Sequence, residues 1–244
     1  MDPRHPNRGP SWLVRVQPRG DRPPLFCVTG GYGDVLALAS VARHIGDDQP
    51  FYALQPPTEE PALDSPEAMR ARLLERYAAA VRSVQPVGPW RLAGYSSGCL
   101  LAAALAHALE ADGDVERLLL IDPPGSIPRY EYRGFLRLRE LVRRHYPRPH
   151  RALPRNLKVF HAYFTDEGFA RHLFAVSEYT PSPPRVRVTL LLGRSSVLRQ
   201  FAIRHWPRYT ASNYDVVDVP GGHFSLLREP HSHSLAAAIR GALL

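Results

Sequence analysis

The chain has 244 residues, 31 of them Lys or Arg against 23 Asp or Glu, for a net charge of +8 and a sequence pI near 9.9. With 44% hydrophobic and 22% charged residues, it is built like one globular domain with a sizeable core, which excludes a coiled coil and a disordered chain. Two cysteines, Cys27 and Cys99, are too few for a disulfide framework. No apolar run approaches the roughly 18 residues of a membrane span, and the start, MDPRHPNRGP, lacks the apolar core of a signal peptide; a soluble, cytoplasmic protein with no membrane partner is expected.

After a polar, Pro-rich tail over residues 1–11, WLVRVQ (Trp12 to Gln17) reads as a short strand. Pro23-Pro24 leads into LFCVT, an apolar run of strand length closed by glycines. TGGYGD turns the chain into a helical stretch from Leu36 to Ile45, and FYALQ follows as a third strand. Ser65-Pro66-Glu67 is a helix start: an N-cap residue, Pro at the first helical position and an acid in the first turn. Met69, Leu73, Tyr77, Val81 and Val84 then recur every three or four residues, which predicts an amphipathic helix to about Gln85.

WRLAGY (Trp90 to Tyr95) is a strand, and the nearly unbroken apolar run Cys99 to Leu109 a buried helix. VERLLLID (Val115 to Asp122) is apolar through its second half, as expected of a parallel strand covered on both faces. Between Pro123 and Pro184 the rhythm stops, and FLRLRELVRRHY is the one helical pattern, with Phe135, Leu138, Leu141, Val142 and His145 on one face. RVRVTLLLG resumes the strands, YDVVDVPGGHF adds a last strand and loop, and Leu235 to Leu244 a final helix. Strands alternating with helices imply an α/β fold, a mostly parallel sheet with helices on both sides. The whole chain, 1–244, is then a single domain, with residues 125–184 inserted between two strands.

Gly94-Tyr95-Ser96-Ser97-Gly98 lies where a strand meets a buried helix, the setting of a nucleophile elbow, in which a serine is exposed on a strained turn flanked by small residues. A serine hydroxyl needs a base, and the base needs a group to orient it. Of the eleven histidines, His223 alone follows a terminal strand through Val219-Pro220-Gly221-Gly222, where a loop at the C-terminal sheet edge reaches Ser96. His231 and His233 have metal-like spacing but no third ligand nearby, so no metal site is expected. The acid is Asp122, Asp215 or Asp218. Asp122 ends a strand 26 residues after Ser96, whereas Asp215 and Asp218 lie within a strand. Many α/β-hydrolases carry the acid after the next strand, but Arg194-Ser195-Ser196 offers no carboxylate there, so elimination also points to Asp122.

Thr29-Gly30-Gly31-Tyr32-Gly33 raises the question of a phosphate loop. A dinucleotide fingerprint wants a further glycine near Leu36 and an acid where Gln55-Pro56 stand, and a P-loop wants Gly-Lys-Ser/Thr, whereas the sole lysine is Lys158. The turn fits an oxyanion hole instead, with the N–H of Ser97 joined by that of Gly31 or, as second choice, Tyr32.

In order along the chain, PLFCVTGGYGDV, GDDQPFYALQPP, VQPVGPWRLAGYSSG, VERLLLIDPP and VPGGHFSLLREP resemble the successive motifs of the thioesterase domains that end nonribosomal peptide and polyketide synthases. The resemblance implies an α/β-hydrolase fold, Ser96 as nucleophile, His223 as base, Asp122 as acid and a helical lid over residues 125–184. Cys99 stands where the elbow usually continues with glycine, and Thr29 where histidine is frequent. No bound cofactor is implied; the substrate would ride on the phosphopantetheine of a carrier protein and leave by hydrolysis or cyclisation. A serine esterase or lipase with the same machinery, and a non-catalytic carrier-binding module, are the competing readings.

The charge is concentrated. Residues 127–155 hold nine Arg and two Glu, a net of +7, so nearly all the excess falls in the expected lid. Carrier proteins are generally acidic, which makes Arg129, Arg133, Arg137, Arg143 and Arg144 candidates for carrier docking. No nucleic-acid motif or aromatic platform accompanies the charge.

Overall fold

The computed structural model describes residues 12–30, 35–56, 65–124, 137–138, 140–142, 144–145, 175–176, 179–210 and 213–244. Seven strands form one sheet: β1 (Leu13–Gln17), β2 (Leu25–Val28), β3 (Phe51–Leu54), β4 (Trp90–Tyr95), β5 (Val115–Ile121), β6 (Val188–Gly193) and β7 (Tyr214–Val219). Their order is β1-β3-β2-β4-β5-β6-β7. Only β1 runs antiparallel, against β3; the other pairs are parallel. Between the strands lie α1 (Val35–Ile45), α2 (Pro66–Val84), α3 (Gly98–Leu109), α4 (Arg199–His205) with a 3-10 turn at Trp206–Tyr209, and α5 (His231–Ala242).

Alternation along the strands divides the core into two layers. Phe26, Val28, Leu92, Leu118, Leu120, Leu190 and Leu192 pack with Leu73, Tyr77, Leu100 and Leu105 of α2 and α3. Leu25, Cys27, Ala93, Leu119, Ile121 and Leu191 pack on the opposite face with Leu38 and Val41 of α1 and Leu235 and Ile239 of α5. Every residue of β2, β4 and β6 is buried, the signature of parallel strands covered on both sides.

The helix boundaries follow local chemistry. Ser65 caps α2, its hydroxyl accepting from the Ala68 N–H at 3.1 Å, and Met69, Leu73, Tyr77 and Val81 are the buried stripe. The last helix begins at His231, four residues before the expected Leu235; its first turn, His231-Ser232-His233, is too polar for an apolar period to show. The sequence reading also placed no element between β6 and β7, where α4 and the 3-10 turn lie. That segment has no side-chain cap and buries only Ala202 in α4, so neither a cap nor a period marks it. It is pinned instead by the fully buried Trp206, whose indole N–H donates to the Pro124 carbonyl at 2.8 Å. Within the expected lid, the described residues 137–138, 140–142 and 144–145 are helical, and Leu138 and Leu141 are half exposed. The rest of 125–174 lies outside the described residues.

The sheet order places the site. From β2 the chain moves outward to β3, then returns across β2 to β4, so β2 and β4 are neighbours whose connections leave in opposite directions. Such a switch point opens a crevice at the C-terminal ends of the strands. There β4 enters α3 through a turn with no room for side chains at its glycines. A Cβ on Gly94 would lie 2.6 Å from Cys99 Cα, and one on Gly98 2.3 Å from the Thr29 carbonyl oxygen. The turn residue Ser96 consequently sits at φ 52°, left-handed backbone that a serine adopts at a cost of about 1–3 kcal/mol.

Two predictions follow from this packing. Gly98→Ala must displace backbone, because the atom in the way is a main-chain oxygen, and is expected to destabilise the fold by roughly 2–4 kcal/mol, read as a lowered midpoint in urea unfolding. The second concerns alkaline pH. Cys27 and Cys99 are fully buried free thiols; burial pushes Cys27 up to about 12 and Cys99 well above its ordinary value. The unfolded thiols ionise near pH 9 and the folded ones do not, so stability is full below that pH. It then falls by roughly 1 kcal/mol per pH unit for each thiol as pH rises toward 12. Urea midpoints at pH 8, 9 and 10 should decline, and Cys27→Ala should flatten the decline.

Candidate active site

Three chain segments meet at the C-terminal edge of the sheet. Ser96 stands on the turn after β4, Asp122 ends β5, and His223 lies in the loop after β7. Ser96 Oγ is 3.0 Å from His223 Nε2, and His223 Nδ1 is 2.6 Å from Asp122 Oδ2. These are hydrogen-bond distances on both ring nitrogens, which forces the tautomer: Nδ1–H donates to the carboxylate, leaving Nε2 as the acceptor for the serine hydroxyl.

Each member is held by its own segment. The Ser96 N–H donates to the Ile121 carbonyl at 3.0 Å and the Asp122 N–H to the Leu191 carbonyl at 2.8 Å, so the ends of β4, β5 and β6 are stitched in sequence. Asp122, like Ser96, adopts positive φ, at 48°. Non-glycine residues in this region are uncommon, and here two of them are the serine and the acid. The His223 ring stacks on Tyr95 at 5.3 Å between centroids, 17° from parallel, and the Tyr95 hydroxyl donates to the His223 carbonyl at 2.7 Å. The loop carrying His223 is closed by Ser225, whose Oγ accepts from the Gly222 N–H at 2.9 Å. The loops after β6 and β7 are joined where the Ser195 N–H donates to the Gly221 carbonyl at 3.1 Å.

Asp122 is completely buried. Among the described residues its one ion-pair partner is His223, so hydrogen bonds must stabilise the carboxylate. Oδ1 accepts from the Gly193 N–H at 3.1 Å, and Oδ2 accepts from the Ser196 hydroxyl at 2.5 Å as well as from His223.

The remaining candidates are distributed as follows. Asp215 and Asp218, the alternative acids, lie in β7 and pair outward with Arg187 and Arg199; neither joins the relay. Ser97, 5% exposed, caps α3 directly after Ser96, so its amide precedes the first helical turn, where N–H groups lack intrahelical partners. Gly30, two residues after β2, lies beside the turn: a Cβ there would be 3.3 Å from Ser96 Cβ. Gly31 and Tyr32 lie outside the described residues. His233 stacks on His44, which is 2.6 Å from Glu229. Among the described residues no group of three or more His, Cys, Asp or Glu is placed to hold a metal, and no helix is long and apolar enough to cross a membrane. Of the basic candidates, Arg137 and Arg144 are exposed on helical turns; Arg129, Arg133 and Arg143 lie outside the described residues.

Residues that sequence reasoning passed over also serve the site: Tyr95 as the platform under the imidazole, and Gly193 and Ser196 as donors to Asp122. Tyr95 lay within the pentapeptide but read as strand. Ser196 stood in the segment searched for a carboxylate, where a hydroxyl was not the group sought.

Comparison with known proteins places the chain in a family. The thioesterase domain family matches residues 23–243. Chondramide synthase of Chondromyces crocatus is 27% identical over an alignment of 280 positions that covers 98% of this chain and 7% of that protein. An atromentin synthetase of Paxillus involutus is 38% identical over 116 residues, covering 47% of this chain and 12% of that protein. This chain thus spans a small fraction of the relatives it matches. Among solved structures, the NocB thioesterase domain in covalent complex with a fluorophosphonate nocardicin G analog superimposes with a TM-score of 0.73 at 26% identity, covering 95% of this chain and 99% of that one. By sequence, fold and strand order, the chain belongs to the thioesterase domain family, of the kind carried by nonribosomal peptide and polyketide synthases.

Proposed function

We propose that this domain releases an acyl, polyketide or peptide chain from the phosphopantetheine thioester of a carrier protein, through an acyl-enzyme on Ser96. The observation that carries this reading is the continuous relay from Ser96 Oγ to His223 to Asp122, at 3.0 and 2.6 Å, in a chain of the thioesterase domain family.

In the first half-reaction Ser96 Oγ attacks the thioester carbonyl as His223 Nε2 takes its proton. Asp122 keeps the imidazole oriented and stabilises the imidazolium without itself being protonated. The oxyanion is held by the N–H of Ser97 and one from the glycine turn, Gly31 or Tyr32, donors fixed before the charge develops. Collapse expels the pantetheine thiolate, which recovers the proton from His223. In the second half-reaction His223 deprotonates either water or a nucleophile within the chain itself, which attacks the Ser96 ester. Ser96 leaves with the proton, giving a free acid or a ring. The same relay serves both halves because the histidine is neutral at the start of each.

The domain holds no cofactor in this scheme; the prosthetic group belongs to the carrier. Docking is assigned to the basic segment, through Arg129, Arg133, Arg137, Arg143 and Arg144 against an acidic carrier surface. The exposure of Arg137 and Arg144 supports this, as does the net +7 between 127 and 155.

Ser96→Ala is expected to abolish release of a carrier-bound chain, measured by mass spectrometry of the loaded carrier; release near the wild-type rate would overturn the assignment. A fluorophosphonate should label wild-type Ser96 and leave the variant unmodified. For the basic segment, Arg137→Glu with Arg144→Glu should raise KM for the carrier-bound chain by roughly tenfold at low salt, by loss of electrostatic attraction, while sparing a small soluble thioester. Equal effects on both substrates would refute carrier docking there.

A further inference from the structure

We infer that Ser196 is a positioning residue of the relay: its hydroxyl, with the Gly193 N–H, clamps both oxygens of the Asp122 carboxylate so that Oδ2 is presented to His223. The inference rests on the Ser96–His223–Asp122 assignment and adds a fourth member to it.

The hydrogen-bond accounting at Ser196 leaves one arrangement. A serine hydroxyl has one proton to give and lone pairs to accept with. Ser196 Oγ accepts from the Leu198 N–H at 3.1 Å, and Asp122 Oδ2 lies 2.5 Å away. An ionised carboxylate is an acceptor only, so the Ser196 proton points at Asp122. The short distance is that of a charge-assisted O–H···O⁻ bond.

The clamp comes from one rigid turn. The Ser196 N–H donates to the Gly193 carbonyl at 3.0 Å, and the Gly193 N–H holds Asp122 Oδ1 at 3.1 Å. Rotation about the Cβ–Cγ bond of an aspartate is soft, a broad two-fold well rather than a sharp staggered one. One contact, to Oδ1, leaves that rotation open. His223 cannot supply the second fixed point, since it is the group being oriented and it changes charge during the reaction. Ser196 can, because its Oγ is fixed by accepting the Leu198 N–H, which leaves its proton for Asp122. It occupies the segment after β6 where many α/β-hydrolases carry the acid; this chain has there a donor to an acid that arrives from β5.

The bland alternative is that Ser196 only closes its own turn, through the Leu198 N–H. The two differ in what depends on Asp122. The experiment measures the rate of fluorophosphonate labelling of Ser96, and kcat and KM for a small soluble thioester, in wild type, Ser196→Ala, Ser196→Thr, Asp122→Asn and the double variant Asp122→Asn with Ser196→Ala, alongside thermal unfolding of each. Ser196→Ala should lower the labelling rate and kcat about tenfold, the scale of one hydrogen bond to a charged group, with KM changed less than about twofold. Ser196→Thr, which keeps the hydroxyl, should recover most of the rate. The double variant should be no slower than Asp122→Asn alone, because a residue acting through Asp122 has nothing left to position. Wild-type rates in Ser196→Ala, or additive losses in the double variant, would overturn the inference while leaving the relay intact. An Asp122→Asn variant as fast as wild type would overturn both, and so identifies which reading failed.

Discussion

The chemistry at this sheet edge depends on a shortage of space. Between Gly94 and Gly98 the backbone of β4 folds back against α3 and the Thr29 carbonyl so closely that a methyl group at either glycine would collide with main-chain atoms. That closeness holds Ser96 at positive φ, with its hydroxyl 3.0 Å from His223 Nε2. The cost of the strained serine is borne by the packing beneath it: Leu100, Leu101, Leu105 and Leu109 of α3 are fully buried against the sheet, each worth about 1.5–3 kcal/mol. A loosely packed helix would let the turn relax. The apolar character of α3, which looks like mere core, is therefore what holds Ser96 in that turn.

A second constraint follows from burying Asp122. A charge removed from water requires compensation, and among the described residues this site provides it with dipoles rather than with an arginine. The result suits a relay. A guanidinium against the carboxylate would compete with the imidazolium for the same charge, whereas neutral donors fix the carboxylate and leave its charge to be shared with His223. The Tyr95 ring and hydroxyl hold the imidazole from the other side, at face and backbone, so the ring has little freedom to move. The four segments meeting here follow β4, β5, β6 and β7, four adjacent strands, and the shared hydrogen bonds at their ends make the edge a single unit.

Most of this was legible in the sequence because the strongest signals are local. Strand WRLAGY, the elbow, the apolar helix and the GGH loop each announce themselves within a dozen residues, and a parallel sheet sends every strand–helix turn to the same edge. Asp122 emerged from the same logic, as the carboxylate at a strand end. What was not legible is tertiary in origin. Ser196 became recognisable only once the turn after β6 was seen to face Asp122, a residue 74 positions earlier. The α4 segment is held by Trp206 reaching Pro124, a contact with no trace in either local sequence. The early start of α5 was hidden by a polar first turn. Periodicity reports burial, and where an element is fixed by one distant contact instead, periodicity is silent.

The charge distribution fits the same division between a closed body and an open segment. Arginine outnumbers lysine 30 to one, which by itself says little about function. What matters is which arginines already have partners. In the body seven pair with acids: Arg19 with Asp47, Arg22 and Arg240 with Asp48, Arg82 with Asp112, Arg91 with Glu116, Arg187 with Asp215 and Arg199 with Asp218. These pairs engage six of the 23 acids, and outside residues 127–155 the chain carries 22 basic and 21 acidic residues, a net of +1. Residues 127–155, with nine arginines to two glutamates, cannot be neutralised from within their own segment. Unlike the surface pairs, each worth about 0–1 kcal/mol, a concentration of one sign acts at a distance of roughly 10 Å in physiological salt. The segment that interrupts the sheet between the acid-bearing strand and the next is thus the one part of the chain whose composition calls for an anionic partner. In the proposed reaction, an acidic carrier protein would meet that requirement.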